Sequence, residues 1–207
     1  MDKPTEDPTD SPSLAPDLLG HLPIGERPVL DPDGIAGWEI FPYEVDTLTP
    51  KVLEPPVLPE PPRQGEDGPT NCRVCAPSDN EVWTDGRWWV HHTGGPTAVP
   101  AQVWLGPVAH HDLDDLPVDL VSELGPMLQR VSRAIARLPG VGRVHVNRWG
   151  DGAAHLHLLL IARPAGMMQL RGSCLISWDD LLPPMHRQTW ETNMHAIAAA
   201  LEADEDT

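Results

Sequence analysis

The sequence predicts an α+β domain carrying a long N-terminal extension, and three observations predict it. Residues 81–92 and 142–162 hold β-prone runs separated by turn residues, residues 120–138 and 184–202 repeat apolar side chains at three and four residue steps, and residues 1–68 do neither. A chain of 207 residues is long enough for one core plus extensions.

Residues 1–68 contain 14 of the 25 prolines and 15 acids against four bases. That composition fixes φ, removes amide donors and offers little apolar surface to bury, so no second globular domain is expected there. The predicted organisation is a disordered, acidic, Pro-rich tail over 1–28, an extended Pro-rich arm over 29–70, and the folded domain over 71–207. The arm holds Trp38, Ile40, Phe41, Tyr43 and Val45, including the only Phe and the only Tyr of the chain. Such side chains are costly to leave in water, so the arm is expected to pack on the domain or on a partner subunit. The run VLEPPVLPEPPR beyond it reads as extended and polyproline-like.

Within the domain, EVWTDGRWWVHH places an Asp85-Gly86 turn between two β-prone runs, a hairpin signal. A third strand is expected over Ala101–Leu105. Leu120, Leu124, Met127, Leu128, Val131, Ile135 and Leu138 then line one face of an amphipathic helix. Gly125-Pro126 interrupts it, which predicts either a kink or a short turn followed by a main helix from Pro126 to Leu138. Two strands follow, Gly142–Arg148 and His155–Ala162, joined by Trp149-Gly-Asp-Gly-Ala-Ala154. A last helix is expected from Pro184 to about Glu202, with Trp190, Met194, Ile197 and Leu201 on its inner face.

Charge and apolar content exclude whole classes of partner. Fourteen Lys and Arg against 31 Asp and Glu give a formal charge of −17, which argues against a nucleic-acid backbone or an anionic lipid surface as partner. No apolar run approaches the roughly 20 residues that span a bilayer, and Met1-Asp2-Lys3-Pro4 opens on acids and prolines rather than a signal core. The expectation is a soluble, cytoplasmic protein. Three cysteines make no disulfide framework; Cys174 reads as a small buried residue.

The chemistry concentrates in a few positions. Cys72-Arg-Val-Cys75 has the two-residue gap of tetrahedral zinc sites, although a redox pair or two packed thiols share that pattern. Pro107-Val-Ala-His110-His111 offers a third ligand between strand and helix. In a strand, His155 and His157 would share one face with Leu159 and Ile161, so both imidazoles would point the same way and one could complete the tetrahedron. An isolated His-x-His is more often a solvent-facing polar pair; the cysteines and His110 give this one its interest. His91, His92 and His111 are alternative ligands, His145 shares a strand face with Asn147, and Trp149 could stack on a base. Arg148, Arg163 and Arg171 could form a cationic rim, though arginines at strand ends are commonly solvated.

Taken in order, Cys72-x2-Cys75, Trp83 to Val90, Pro107-x2-His110, Asp115-Leu-Pro117 before a helix, Asn147 and His155-x-His157 resemble the histidine-triad superfamily. The zinc-bearing branch that includes galactose-1-phosphate uridylyltransferase is the nearer likeness, over residues 70–165. The resemblance implies an antiparallel meander sheet with helices on one face, a homodimer, and a nucleotide or nucleotide-sugar ligand. It also implies Zn2+ on Cys72, Cys75, His110 and His155, a nucleophilic His157, and Asn147 near the phosphate; His145, on the strand face of Asn147, and Arg163 are further candidate substrate-binding residues on their own residue chemistry. The implied reaction is nucleotidyl hydrolysis or transfer through a nucleotidyl-histidine.

This chain departs from the family pattern at the phosphate. The position two beyond the nucleophile is Leu159 where the family has His or Gln, and Gly150-Asp-Gly152-Ala-Ala154 lacks the hydroxyl the family places before the motif. Asp151 would repel a phosphate if it faced inward. A donor aimed at developing charge is typically worth about 100 to 1000-fold in rate, so two missing donors also suit a catalytically lapsed, zinc-stabilised binding protein.

Overall fold

The structure, a computed structural model, describes residues 21–31 and 33–203. The chain divides into two units, residues 1–62 and 63–207. The expected disorder of the first 28 residues falls mostly on positions outside the described residues. In the first unit, Ile24 and Leu53 form a parallel bridge, and two short 3-10 turns cover Ile35–Gly37 and Val45–Thr47. The Phe41 and Tyr43 rings meet edge to face at 5.6 Å.

The second unit is built on one antiparallel sheet of five strands: β1 (Glu81–Thr84), β2 (Trp88–His92), β3 (Gln102–Pro107), β4 (Val141–Asn147) and β5 (Leu158–Pro164), in the order β1-β2-β3-β5-β4. The hairpin turns where the sequence places it. Gly86 takes φ +82, and Asp85 Oδ1 accepts the amides of Arg87 and Trp88. Helix α1 (Val118–Ala136) carries the chain from β3 to the outer edge, so β5 returns between them.

Helix α1 continues through Pro126, so of the two sequence alternatives a short turn followed by a separate main helix is not what forms. Ser122, Gly125 and Pro126 all lie on the exposed face. The Ser122 carbonyl that loses its partner is therefore on the solvent side, and nothing lies within 4 Å of where a Cβ of Gly125 would stand. The last helix, α3 (Arg187–Ala203), buries Trp190, Met194, Ile197 and Leu201 as expected.

Strand alternation sorts the core. Trp88, Val90, Val103, Leu105, Leu158, Leu160 and Ala162 face α1 and α3. Fully buried Trp88, Leu105, Ile135 and Leu160 each contribute about 1.5–3 kcal/mol on burial. Trp88 Nε1 also donates to Glu123 of α1, and Arg87 pairs with Asp119 and Glu123. The opposite face carries a second apolar cluster of Val99, Leu159, Ile161, Leu170 and Leu175, flanked by Trp104 and Trp178. This cluster is covered by a short helix, α2 (Cys174–Leu181), which the sequence reading does not anticipate. Cys174 is buried, as expected. Among the described residues no helix is long and apolar enough to cross a membrane.

Candidate metal centre and the adjoining imidazole pocket

Three loops converge at one end of the sheet. A 3-10 turn, Pro69–Asn71, leads into a turn in which the Cys75 amide donates to the Cys72 carbonyl, presenting both sulfurs. His110 follows the end of β3. His155 lies in the segment entering β5, so the two histidines of the motif precede the strand rather than occupy it as expected. Parallel pairing of Gln64 with Ala153 ties the first of these loops to the last: Gln64 N donates to Gly152 O and Ala154 N to Gln64 O.

Cys72, Cys75, His110 and His155 present one ligand atom each, all within 4.8 Å of one another. Cys75 Sγ lies 3.3 Å from Nδ1 of His110 and 3.3 Å from Nδ1 of His155, and Cys72 Sγ lies 3.7 Å from the latter. A tetrahedron with Zn–S and Zn–N bonds of ordinary length has S···N edges of about 3.5 Å, so the donor set fits a zinc ion. Outer partners set the tautomers. His155 Nε2 donates to Pro107 O at 2.9 Å and His110 Nε2 to Gly65 O at 3.0 Å, which leaves both Nδ1 atoms unprotonated toward the sulfurs.

The electrostatics agree with that role. Burial, with His110, His157 and His111 nearby, holds the His155 imidazole below its ordinary range despite the Pro107 hydrogen bond, so it is the neutral ligand form. Burial and then Cys72 push the Cys75 thiol up to about 11. A dithiol of that kind ionises at neutral pH when a cation joins it, releasing protons. Gly65 completes the centre with φ +80. A Cβ there would stand 2.7 Å from Cys72 Cβ and 2.9 Å from His110 Cε1.

His157 lies beside this centre in a different setting. Its Nδ1 donates to the His155 carbonyl at 2.6 Å, and its ring meets Trp104 edge to face at 5.2 Å. It lines an open pocket of about 220 Å³ together with Arg73, Asn80, Trp89, His91 and Trp104. Trp89 joins the two sites: its Nε1 donates to the same Pro107 carbonyl that holds His155, and its ring stacks on His91 at 4.4 Å. Gly106 makes this possible, since a Cβ there would stand 2.4 Å from the Trp89 ring.

The remaining predicted positions are distributed around the pocket. Across the sheet, His91, Trp104, Leu159 and Asn147 form one register row, and Gln102, Ile161 and His145 the next. Asn147 and His145 share the face of His157 but are not among the residues lining its pocket. Burial and then Arg163 lower the His145 imidazole, whose buried Nε2 has no hydrogen-bond partner. Arg163 is buried, and its guanidinium donates to the carbonyls of Pro164 and Met167. His111 pairs weakly with Asp115 at 3.9 Å, while His92 turns to Trp190 on the helix face. Arg148 binds Asp112, and Trp149 and Arg171 are exposed.

Sequence reasoning missed Gly65, Pro107 as a carbonyl acceptor, Trp89 and Arg73. The first two act through backbone geometry that residue type does not reveal. Arg73 alone carried a signal, its place inside the Cys-x2-Cys motif.

No family model matches the chain, and no curated protein matches it. Among solved structures it is similar to a Zn-bound histidine triad family protein from Mycobacterium smegmatis, at 20% identity and a TM-score of 0.46, covering 67% of this chain and 99% of that one. It is similar to a hypothetical histidine triad nucleotide-binding protein from Sulfolobus tokodaii at 18% identity and a TM-score of 0.46, covering 64% and 93%. A uridylyltransferase structure matches at 19% identity and a TM-score of 0.45, over 64% of this chain and 45% of its own.

Proposed function

We propose that the chain is a nucleotidyl hydrolase or nucleotidyltransferase acting on a phosphoanhydride or related nucleotide bond through His157. The observation that carries this reading is the 2.6 Å hydrogen bond between His157 Nδ1 and the His155 carbonyl. With Nδ1–H bound to the His155 carbonyl, Nε2 keeps its lone pair, and the side chain borders a pocket walled by Trp89 and Trp104. The partly exposed ring of Trp104 suits a nucleobase, with Trp89 packed behind it on His91.

In the first step Nε2 of His157 attacks the α-phosphorus; the N–P bond forms as the P–O bond to the leaving group breaks, its electron pair departing with that group. The Nδ1 proton stays on the ring, where the His155 carbonyl stabilises the developing imidazolium. In the second step water or an acceptor hydroxyl attacks phosphorus, its O–H proton passing to solvent as the P–O bond forms, and the N–P pair returns to Nε2. Zinc on Cys72, Cys75, His110 and His155 would supply a structural brace, since four protein ligands close its coordination. His155, shared between that brace and the carbonyl that orients His157, links stability to chemistry.

Leu159 favours a second reading, a lapsed enzyme that binds without turnover. Only 4% exposed and packed with Ile161, Leu170 and Leu175, it presents no donor to a phosphate. Two variants separate the cases. His157→Ala is expected to keep zinc and thermal stability while abolishing release of monophosphate and trapping of phosphorus on histidine. His155→Ala is expected to lose metal and stability together. If the unaltered protein releases no monophosphate from nucleoside phosphoramidates, dinucleoside polyphosphates or nucleotide sugars, the binding reading replaces the enzymatic one.

A further inference from the structure

Attack at an α-phosphorus by an imidazole is aided by hydrogen-bond donors or a cation at the phosphate oxygens, and the residues around His157 differ in their ability to supply them. Leu159 is apolar and buried, and His145 is outside the pocket lining. Arg63 and Arg148 both bind Asp112, at 2.6 and 2.8 Å, so neither guanidinium is free. Arg87 is held by Asp119 and Glu123 at the hairpin, and Arg163 by backbone carbonyls.

Arg73 stands apart from these. It is exposed, lines the same pocket as His157, and makes no ion pair among the described residues. Its Nη2 lies 3.0 Å from where a Cβ of Gly152 would be, so the guanidinium rests against the backbone of the loop that runs into His155 and His157. Gly152 leaves that space open by having no side chain. In a chain with 31 acids and 14 Lys and Arg, a guanidinium without an ion pair among the described residues, lining the same pocket as the His157 imidazole, suits an anionic ligand.

We infer that Arg73 is the phosphate-binding residue of the His157 pocket, placed there by the metal-binding turn of Cys72 and Cys75. The inference rests on the reading that this pocket receives a nucleotide. It adds a second function to the Cys-x2-Cys turn: with a thiol on either side of Arg73, closing the metal centre fixes the backbone from which the guanidinium reaches. Metal occupancy then controls phosphate affinity while leaving the aromatic walls, which belong to β2 and β3, in place.

Calorimetric titration of the zinc-loaded full chain with AMP, GMP, CMP and UMP, and with the matching nucleosides, tests it. Arg73→Gln is expected to weaken binding of the preferred monophosphate by about tenfold to a hundredfold, the worth of a charge-assisted hydrogen bond. Zinc content and melting temperature should stay unchanged, Arg73→Lys should recover part of the loss, and the salt dependence seen for the unaltered protein should flatten in Arg73→Gln. Unchanged monophosphate affinity in Arg73→Gln overturns the assignment alone, as does an equal loss of nucleoside affinity. Failure of the unaltered protein to bind any of the four monophosphates overturns the nucleotide reading and this assignment together.

Discussion

Leu159 shows how one side chain can be read correctly as a departure and still mislead about its remedy. From sequence, restoring His or Gln there repairs the phosphate half of the motif. In the structure the position lies under α2, packed among Val99, Ile161, Leu170 and Leu175. An imidazole placed there loses that apolar contact and buries two ring nitrogens without partners. We therefore expect Leu159→His to cost about 2–4 kcal/mol in urea unfolding and to leave turnover no higher. Wild-type stability together with faster turnover would show that α2 lifts away and that residue 159 reaches the ligand. The candidate metal donors were legible as a cysteine pair with nearby histidines because ligand chemistry restricts residue type and spacing. The choice of His110 over His111 was not, because it depends on which ring the loop after β3 turns toward Gly65.

At the scale of elements, the strands, the hairpin turn and the two long helices were legible from periodicity, since each buries one face. The uninterrupted course of α1 through Pro126 was not, because the outcome depends on whether the orphaned Ser122 carbonyl meets solvent or core. Helix α2 was missed for a related reason: Cys174-Leu-Ile-Ser-Trp-Asp-Asp-Leu181 spans two turns and lies on the face opposite the main core, too short for a repeat to show. It is held by Asp179, whose Oδ1 accepts the Ala98 amide at 2.9 Å and whose Oδ2 lies 3.4 Å from Gln102 Nε2. Burial raises the Asp179 carboxyl above its ordinary value, and Asp180 adds to it, against the opposing hydrogen bonds from Ala98, Val99 and Gln102. A folded value above the unfolded one means that the folded state binds its proton more tightly. The associated stability is therefore present below about pH 4, the ordinary unfolded value, and is lost as pH rises through the raised one. Asp179→Asn keeps an acceptor for Ala98 and removes the charge. Its melting temperature relative to the unaltered protein should rise between about pH 4 and neutrality; a difference independent of pH over that range would contradict this account of the helix.

For the whole molecule, the described residues form two apolar cores and one candidate metal centre. The sheet and its long helices bury 21 residues of the main cluster without help from the four ligands' loops, apart from the strand and entry residues they share. Removal of metal should therefore not unfold the chain, in contrast to small domains whose only core is the ion. Freshly purified protein is expected to carry one zinc per chain. With free zinc about a thousandfold above its dissociation constant, the bound ion contributes about 4 kcal/mol, which for a chain of this size lowers the melting temperature by roughly 8–16 °C on chelation. The loss should also be local. Amide protection should fall over residues 63–76 and 107–112, where Gly65, the two cysteines and His110 depend on one another, and persist in β3, β5 and α1. Zinc well below one equivalent would remove the ion from the centre. Protection lost uniformly over the sheet would mean that the centre nucleates the fold instead of bracing a finished one, and His155→Ala would then be expected to prevent folding altogether.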